Sequence, residues 1–392
     1  VTYSNSRKTF PAASAVIALT AGLGAPAFAQ TTDAQRIAEL EARVAALEES
    51  GNEPLSFGLG PNTTLEFYGY FKTDFIYDFD YNLGNTTFGL VSLGVLNDDD
   101  ERIVSRDGGF TGTVNQTRLG FRTTTQTALG ELGTQVELDF YGADGAFSDG
   151  EAEPRLRHAT ATLGGFRVGK YWTTFMPLSS YPSTLDFQGV VGIPFARQEQ
   201  LRYTHEFGNG FVGEVAIEDH NTGSEDPVFV AAMAYDTDPL LLRLSGITGS
   251  IDDETGDDEN FYGVNVSTSA QLWQGATFDA AYTYGEGIAS YLVFLGDDVD
   301  ANGDLIEVES AYAGLTQEVG EKWTFRGIYG VRENKSGAVG DTERLRSVHL
   351  NAEYQLLENA TLGVEYFNGE REEFGGDTYD TDRIQTSFQI NF

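Results

Sequence analysis

Nine basic side chains carry the chemistry most legible in this chain. Arg118 and Arg122 alternate with Leu119, Phe121 and Thr123. In an extended strand they therefore share a face with Gln116 and Gly120, opposite the apolar residues. Arg157, Arg167, Lys170 and Arg197 fall in the same stretch, between Val114 and Tyr203. Arg202 faces away from Leu201 and Tyr203, and Arg243 and Arg326 take the polar face of later strands by the same parity. Cations in register on one face of successive strands would filter anions. The same side chains could instead neutralise polar-face carboxylates such as Glu137, Asp139 and Glu214. Lys170 breaks the pattern, because alternation from Phe166 and Val168 sends it to the apolar face. A charge there costs about 2–4 kcal/mol at the middle of a bilayer, so a bulge or a place near the interface is expected.

A second constellation is acidic. Asp298, Asp300, Asn302, Asp304 and Glu309, with Gly303 at the turn, fit D-x-[DN]-x-[DN]-G-x5-E,. Asp298, Asp300 and Asn302 would offer side-chain oxygens, Asp304 its carbonyl and Glu309 a bidentate carboxylate to Ca2+. No helical pattern flanks the loop, which weakens the EF-hand comparison without removing the cation. No other cofactor is required by any motif. Acidic runs at Asp98–Glu101, Asp252–Glu259 and Glu370–Glu373 are solvated surface, or hold divalent cations that bridge to anionic lipopolysaccharide.

The elements that would position these groups are strands. The terminal stretch Arg383–Phe392 sets Ile384, Thr386, Phe388, Ile390 and Phe392 on one face and Arg383, Gln385, Ser387, Gln389 and Asn391 on the other. Ten residues tilted by about 45° climb roughly 24 Å, the height of an outer-membrane barrel's apolar band. The pattern recurs from Leu65 onward in about sixteen segments. Short turns such as Gly164–Gly165 and Gln274–Gly275 alternate with long loops such as Asp80–Thr113 and Glu286–Val308. These features predict an all-β fold, a 16-stranded antiparallel transmembrane β-barrel over residues 53–392. Aromatic residues at strand ends, among them Phe67, Phe79, Tyr282, Tyr284, Trp323, Tyr329, Tyr354, Tyr366 and Phe392, would form the girdles. Segment 173–197 is too apolar for a solvated loop, with Phe175, Tyr181, Phe187 and Phe195 among its residues. It is expected inside the barrel as a constriction facing the arginines.

Residues 1–29 have the form of a signal peptide. Arg7 and Lys8 precede the apolar Ala12–Leu23, and Ala27-Phe28-Ala29 offers a cleavage site,. Residues 30–52 predict a short periplasmic coiled-coil helix, with Ile37 and Val44 at a and Leu40 and Leu47 at d,. Two heptads hold only if something else gathers the copies. The net charge of −36 excludes a nucleic-acid partner, since wrapping a phosphate backbone needs Lys and Arg in excess,. No cysteine is present to build a disulfide framework.

Three stretches carry a family likeness. Val114–Arg122 resembles the second-strand motif of trimeric bacterial porins, and Arg197–Phe207 resembles the segment after their constriction loop. Phe392 resembles the C-terminal signal read by the outer-membrane assembly machinery. With the N-terminal helix and Gly165–Phe175, the chain is similar to DcaP-like porins. The resemblance implies a homotrimer in the bacterial outer membrane, a periplasmic helix and uptake of small anionic solutes such as dicarboxylates. A non-selective diffusion pore is the alternative. An outer-membrane hydrolase lacks a serine in a nucleophile-elbow pattern to act with His158, His205, His220 or His349, and a structural tether between membrane and cell wall would not conduct,.

Overall fold

A computed structural model describes residues 56–97, 101–142, 152–221, 224–252 and 258–392. The expected signal peptide and coiled-coil helix lie outside the described residues. Alternating sequence becomes strand throughout: β1 (Ser56–Gly58), β2 (Thr63–Asp78), β3 (Gly109–Thr113), β4 (Arg118–Thr127), β5 (Gly130–Asp139) and β6 (Arg155–Leu163). Next come β7 (Phe166–Trp172), β8 (Arg197–Gly208), β9 (Phe211–Glu218), β10 (Val228–Thr237), β11 (Leu240–Asp252) and β12 (Asp258–Trp273). The series ends with β13 (Ala276–Glu286), β14 (Glu307–Val319), β15 (Trp323–Asn334), β16 (Thr342–Leu357), β17 (Ala360–Glu373) and β18 (Thr378–Asn391).

Successive strands pair antiparallel, β3 and β4 apart, and β18 returns to β2, so the sheet closes. The eighteen pieces make sixteen staves. β3 and β4 both pair with β2, over Asp74–Asp78 and Thr63–Tyr70, and form one stave interrupted at Val114–Thr117. There the Thr117 hydroxyl stands in for the ladder, donating to Lys72 O at 3.0 Å and accepting from Lys72 N at 3.1 Å. β1 only covers the edge of β2 below the end of β18. Closure runs from Arg383↔Asp78 to Asn391↔Tyr70, with Phe392 and Gly69 exchanging backbone bonds at 3.1 Å. It thus begins a few residues past Leu65, whose edge is taken by β1. A closed ring leaves no strand edge to hydrocarbon, which backbone amides cannot tolerate.

The outward face is apolar, with Phe75, Leu119, Leu201, Ile217, Phe229, Leu244, Val266, Phe325, Leu350 and Val364 all exposed. Of the expected girdle residues, Phe67, Phe79, Tyr282, Trp323, Tyr329, Tyr366 and Phe392 are exposed there too. Inside, the barrel is not an empty tube. Two apolar clusters fill part of it, one joining Leu83, Leu90 and Leu93 to Val190, Val191, Ile193, Val293 and Phe294. The other joins Phe175 to Ile288, Tyr291, Leu292 and Ile306. Each packs loop residues against the inner face of the wall, on Tyr312, Ile328 and Phe367 in the first and on Val230, Ile247 and Phe261 in the second. The loops after β2 and β13, expected from sequence as long connections, turn inward beside the constriction segment.

Candidate functional site in the lumen

The segment between β7 and β8 enters the barrel, as its apolar composition requires. Burying a loop strands its backbone groups, and each must find a partner. The wall supplies them in order. Thr174 N donates to Glu218 Oε1 at 2.7 Å, and Phe175 O accepts from Ser245 Oγ at 3.1 Å. Ser180 O accepts from Tyr312 Oη at 3.0 Å, and Ser183 O from Asn351 Nδ2 at 3.2 Å. Leu185 N and Asp186 N donate to the two oxygens of Glu365 at 2.9 and 3.1 Å, while Leu185 O accepts from Lys72 Nζ at 2.7 Å. Val191 N donates to Ser347 Oγ at 3.0 Å, and Gly192 O accepts from Ser310 Oγ at 2.8 Å. The segment is therefore bound to the wall made by β9, β11, β14, β16, β17 and β2. On β15 it passes Gly330 so closely that a Cβ there would stand 2.1 Å from Val191 O.

The two neighbouring loops are held the same way, by buried arginines. Arg383 chelates Asp78 at 2.6 and 2.8 Å and donates to Gly84 O at 2.8 Å. Arg371 donates to Leu93 O at 2.6 Å and Gly340 O at 2.7 Å. Arg332 donates to Leu295 O. Pro194 and Leu292 form a bridge that joins the constriction segment to the loop after β13. Motif reading missed these three arginines as functional parts. Their polar-face parity was visible, but the carbonyls they hold belong to segments far away in sequence. The inward course of both loops did have a signal in the apolar runs Phe88–Leu96 and Ile288–Leu295.

Seven of the predicted cations stand on β4–β8, with Arg243 on β11 and Arg326 on β15, and their freedom is unequal. Arg122 is tied to Glu66, Arg326 to Glu353, and Arg157 to Glu137 at 2.7 Å and Asp139 at 2.8 Å. Arg155, not among the expected site residues, chelates Asp139 at 2.8 and 2.9 Å. Arg118 reaches Glu137 only at 3.5 Å and lies 5.1 Å from the Tyr70 ring centroid. Arg202 and Arg243 share Glu214 at 3.3 and 3.2 Å and also hold the start of the constriction segment, through Trp172 O and Thr174 O. Arg167 stands directly opposite Arg202 in the ladder and covers the Tyr171 ring at 4.0 Å. Like charges in that position oppose pairing. Three guanidinium groups thus meet two carboxylates around Glu137 and Asp139, and three meet one around Glu214.

Lys170 remains on the outward side, paired across the ladder with Glu199 and 3.1 Å from its carboxylate. No register shift interrupts β6 and β7. The bulge lies one strand away, where Arg157 is the extra residue of β6 opposite Glu137 and Leu138. The ion pair replaces the bulge as the device that tolerates the charge. Arg197 stacks on Trp172 at 4.9 Å at the rim of the same wall. His158 and His349 are both buried within the barrel, His349 beside Glu365 at 3.2 Å.

The five oxygen donors of the acidic motif are not gathered into one shell. Asp298 is buried and accepts from Ser290 N at 2.8 Å, and burial pushes its carboxyl up to about 6. Asp300 closes the turn instead, accepting from Asn302 N at 2.8 Å and Asp304 N at 3.1 Å. Those amides hold its carboxyl below the usual range. Its own N–H donates to Asp304 O at 2.8 Å, and Val299 bridges to Leu305, so the loop is a hairpin. Glu309 turns to Lys335 at 3.1 Å. Among the described residues no group of three or more His, Asp or Glu side chains is arranged to hold a metal.

Comparison with known proteins fits this architecture. The outer membrane channel DcaP of Acinetobacter baumannii superposes with a TM-score of 0.75 at 22% identity, covering 86% of this chain and 99% of that one. The anion-selective porin of Comamonas acidovorans superposes with a TM-score of 0.61 at 15% identity, covering 84% and 100%. These two likenesses concern the fold. Porin Omp2a of Brucella ovis is 33% identical over 128 residues, which is 28% of this chain and only 35% of that porin's length. The DcaP outer membrane protein family matches residues 44–267. By that match, carried on a closed barrel with an inward constriction, the chain belongs to the DcaP outer membrane protein family.

Proposed function

We propose that the chain is an outer-membrane porin, a passive diffusion channel for small hydrophilic solutes that favours anions such as dicarboxylates. The observation that carries this reading is the excess of guanidinium over carboxylate around Glu137, Asp139 and Glu214. Arg118 keeps only a 3.5 Å contact with Glu137, and Arg167 covers the Tyr171 ring without an ion pair among the described residues, while the constriction segment is fastened along the other wall. Uncompensated cations in a low-dielectric lumen raise the local concentration of anions. The names of its relatives, a channel and two porins, one of them anion-selective, point the same way. The likeness to trimeric porins supports a homotrimer, inserted through recognition of Phe392. The acidic loops would face lipopolysaccharide.

A non-selective pore is the second reading, favoured by the carboxylates that hold Arg122, Arg157, Arg202, Arg243 and Arg326. Bilayer recordings in a KCl gradient separate the two. The reversal potential of the unmodified channel should indicate chloride preference, and Arg118→Ala with Arg167→Ala should move it toward zero. An unmodified channel without preference, or a double variant that keeps it, would sink the filter.

A further inference from the structure

The barrel wall has a seam. The ladder between β6 and β7 stops at Ala159↔Lys170. Beyond it β6 runs on to Arg155 paired only with β5, and β7 runs on to Trp172 paired only with β8. The bulge at Arg157 bends β6 away,. Gly169 bends β7, with φ +112° and its Cα hydrogen side so near Ala159 O that a Cβ would stand 2.0 Å from it. A cavity of about 530 Å³ occupies the opening. Its lining comes from both sides of the wall: Leu156, Lys170 and Glu199 from the outward face, Phe187 and Phe195 from the constriction segment, with Arg197 between.

Arg197 is the unusual member. Its Nη1 is shielded from solvent without a hydrogen-bond partner, and no carboxylate within the described residues pairs with the guanidinium. A buried donor left unpaired costs about 1–3 kcal/mol, so an acceptor from outside the chain is the expected complement. Leu156 at the opening and the cross-strand pair Val168 and Leu201 further along the wall are exposed apolar residues of the lipid-facing side. Trp172 lies against Arg197, and an indole suits the boundary between headgroups and hydrocarbon,.

We propose that this seam binds an anionic amphiphile of the membrane, with a phosphate or carboxylate headgroup on Arg197 and its acyl chain along Leu156, Val168 and Leu201. Lys170 assists by exchanging Glu199 for the headgroup. The proposal does not rest on the channel's selectivity.

Trp172 reports on it directly. In a Trp273→Phe/Trp323→Phe background it is the remaining tryptophan of the described barrel, because the sequence holds three. The full chain is reconstituted in phosphatidylcholine bilayers that contain a small, equal fraction of brominated phosphatidylglycerol or brominated phosphatidylcholine. A basic residue near the membrane surface enriches anionic lipid about fivefold, so Trp172 should be quenched well beyond the neutral-lipid level. Arg197→Gln should return quenching to that level, and Lys170→Gln should lower it in part. Unlabelled lipid A or palmitate that relieves quenching identifies a phosphate or a carboxylate source. Equal quenching by the two brominated lipids in the unsubstituted site would overturn the proposal without recourse to any variant.

Discussion

Replacing Glu365 by glutamine tests how the constriction segment is held. Both carboxylate oxygens of this fully buried side chain accept loop amides, Leu185 N at 2.9 Å and Asp186 N at 3.1 Å. Asn351 Nδ2 adds a third bond at 3.0 Å. Glutamine keeps the shape but turns one acceptor into a donor, so one loop N–H loses its partner in a site closed to water. That orphaned donor costs about 1–3 kcal/mol. If the segment has a docked and a released state, the docked one loses a factor of about 5–150. Alanine removes both acceptors and costs about 2–6 kcal/mol by the same rule, before any cavity is counted. Single-channel recording should show new openings to higher conductance in Glu365→Gln and more in Glu365→Ala. Liposome swelling should show faster entry of sugars that the unmodified channel admits slowly. Unchanged conductance steps and sugar entry in Glu365→Ala, with a normally folded barrel, would refute the clasp.

Three further outcomes follow from the same geometry. Gly330→Ala puts a methyl group where the constriction backbone passes at 2.1 Å; the segment must shift, and conductance should change while heat-resistant barrel migration on gels is kept. Arg371→Met keeps the length of the side chain but removes the donors to Leu93 O and Gly340 O, so proteolysis of the loop after β2 should quicken. The Asp298 carboxyl titrates near 6 in the folded loop, above the ordinary value of 3.8, so its protonated form favours the fold. Its contribution is complete below about pH 4 and fades as pH rises through 6. Hydrogen exchange at Ser290 should therefore be slower at pH 5 than at pH 7.5 after correction for intrinsic rates, and Asp298→Asn should remove the difference.

The alternation of Ile384, Thr386, Phe388, Ile390 and Phe392 was enough to specify a strand with one apolar and one wet face, because a period of two is a local property of extended backbone. Repeated upstream, it also determined the stave number and the polar-face parity of the arginines. The apolar content of 173–196 determined that it could not remain in water. Tertiary structure alone decided what the cations do there. Arg243 and Arg202 have the parity of filter residues, yet Arg243 holds Thr174 O of the constriction segment and Arg202 holds Trp172 O just before it, because a buried peptide group takes the nearest strong donor,. Arg118 and Arg167 are left with weak or no carboxylate partners only because Glu137, Asp139 and Glu214 are already engaged by their neighbours. The acidic loop shows the same limit. Its spacing matches a cation site, but hairpin pairing turns Asp300 onto its own turn, burial claims Asp298 and Lys335 draws Glu309 away. Spacing along a chain states which groups are near in sequence, whereas partners are chosen among groups brought near in space.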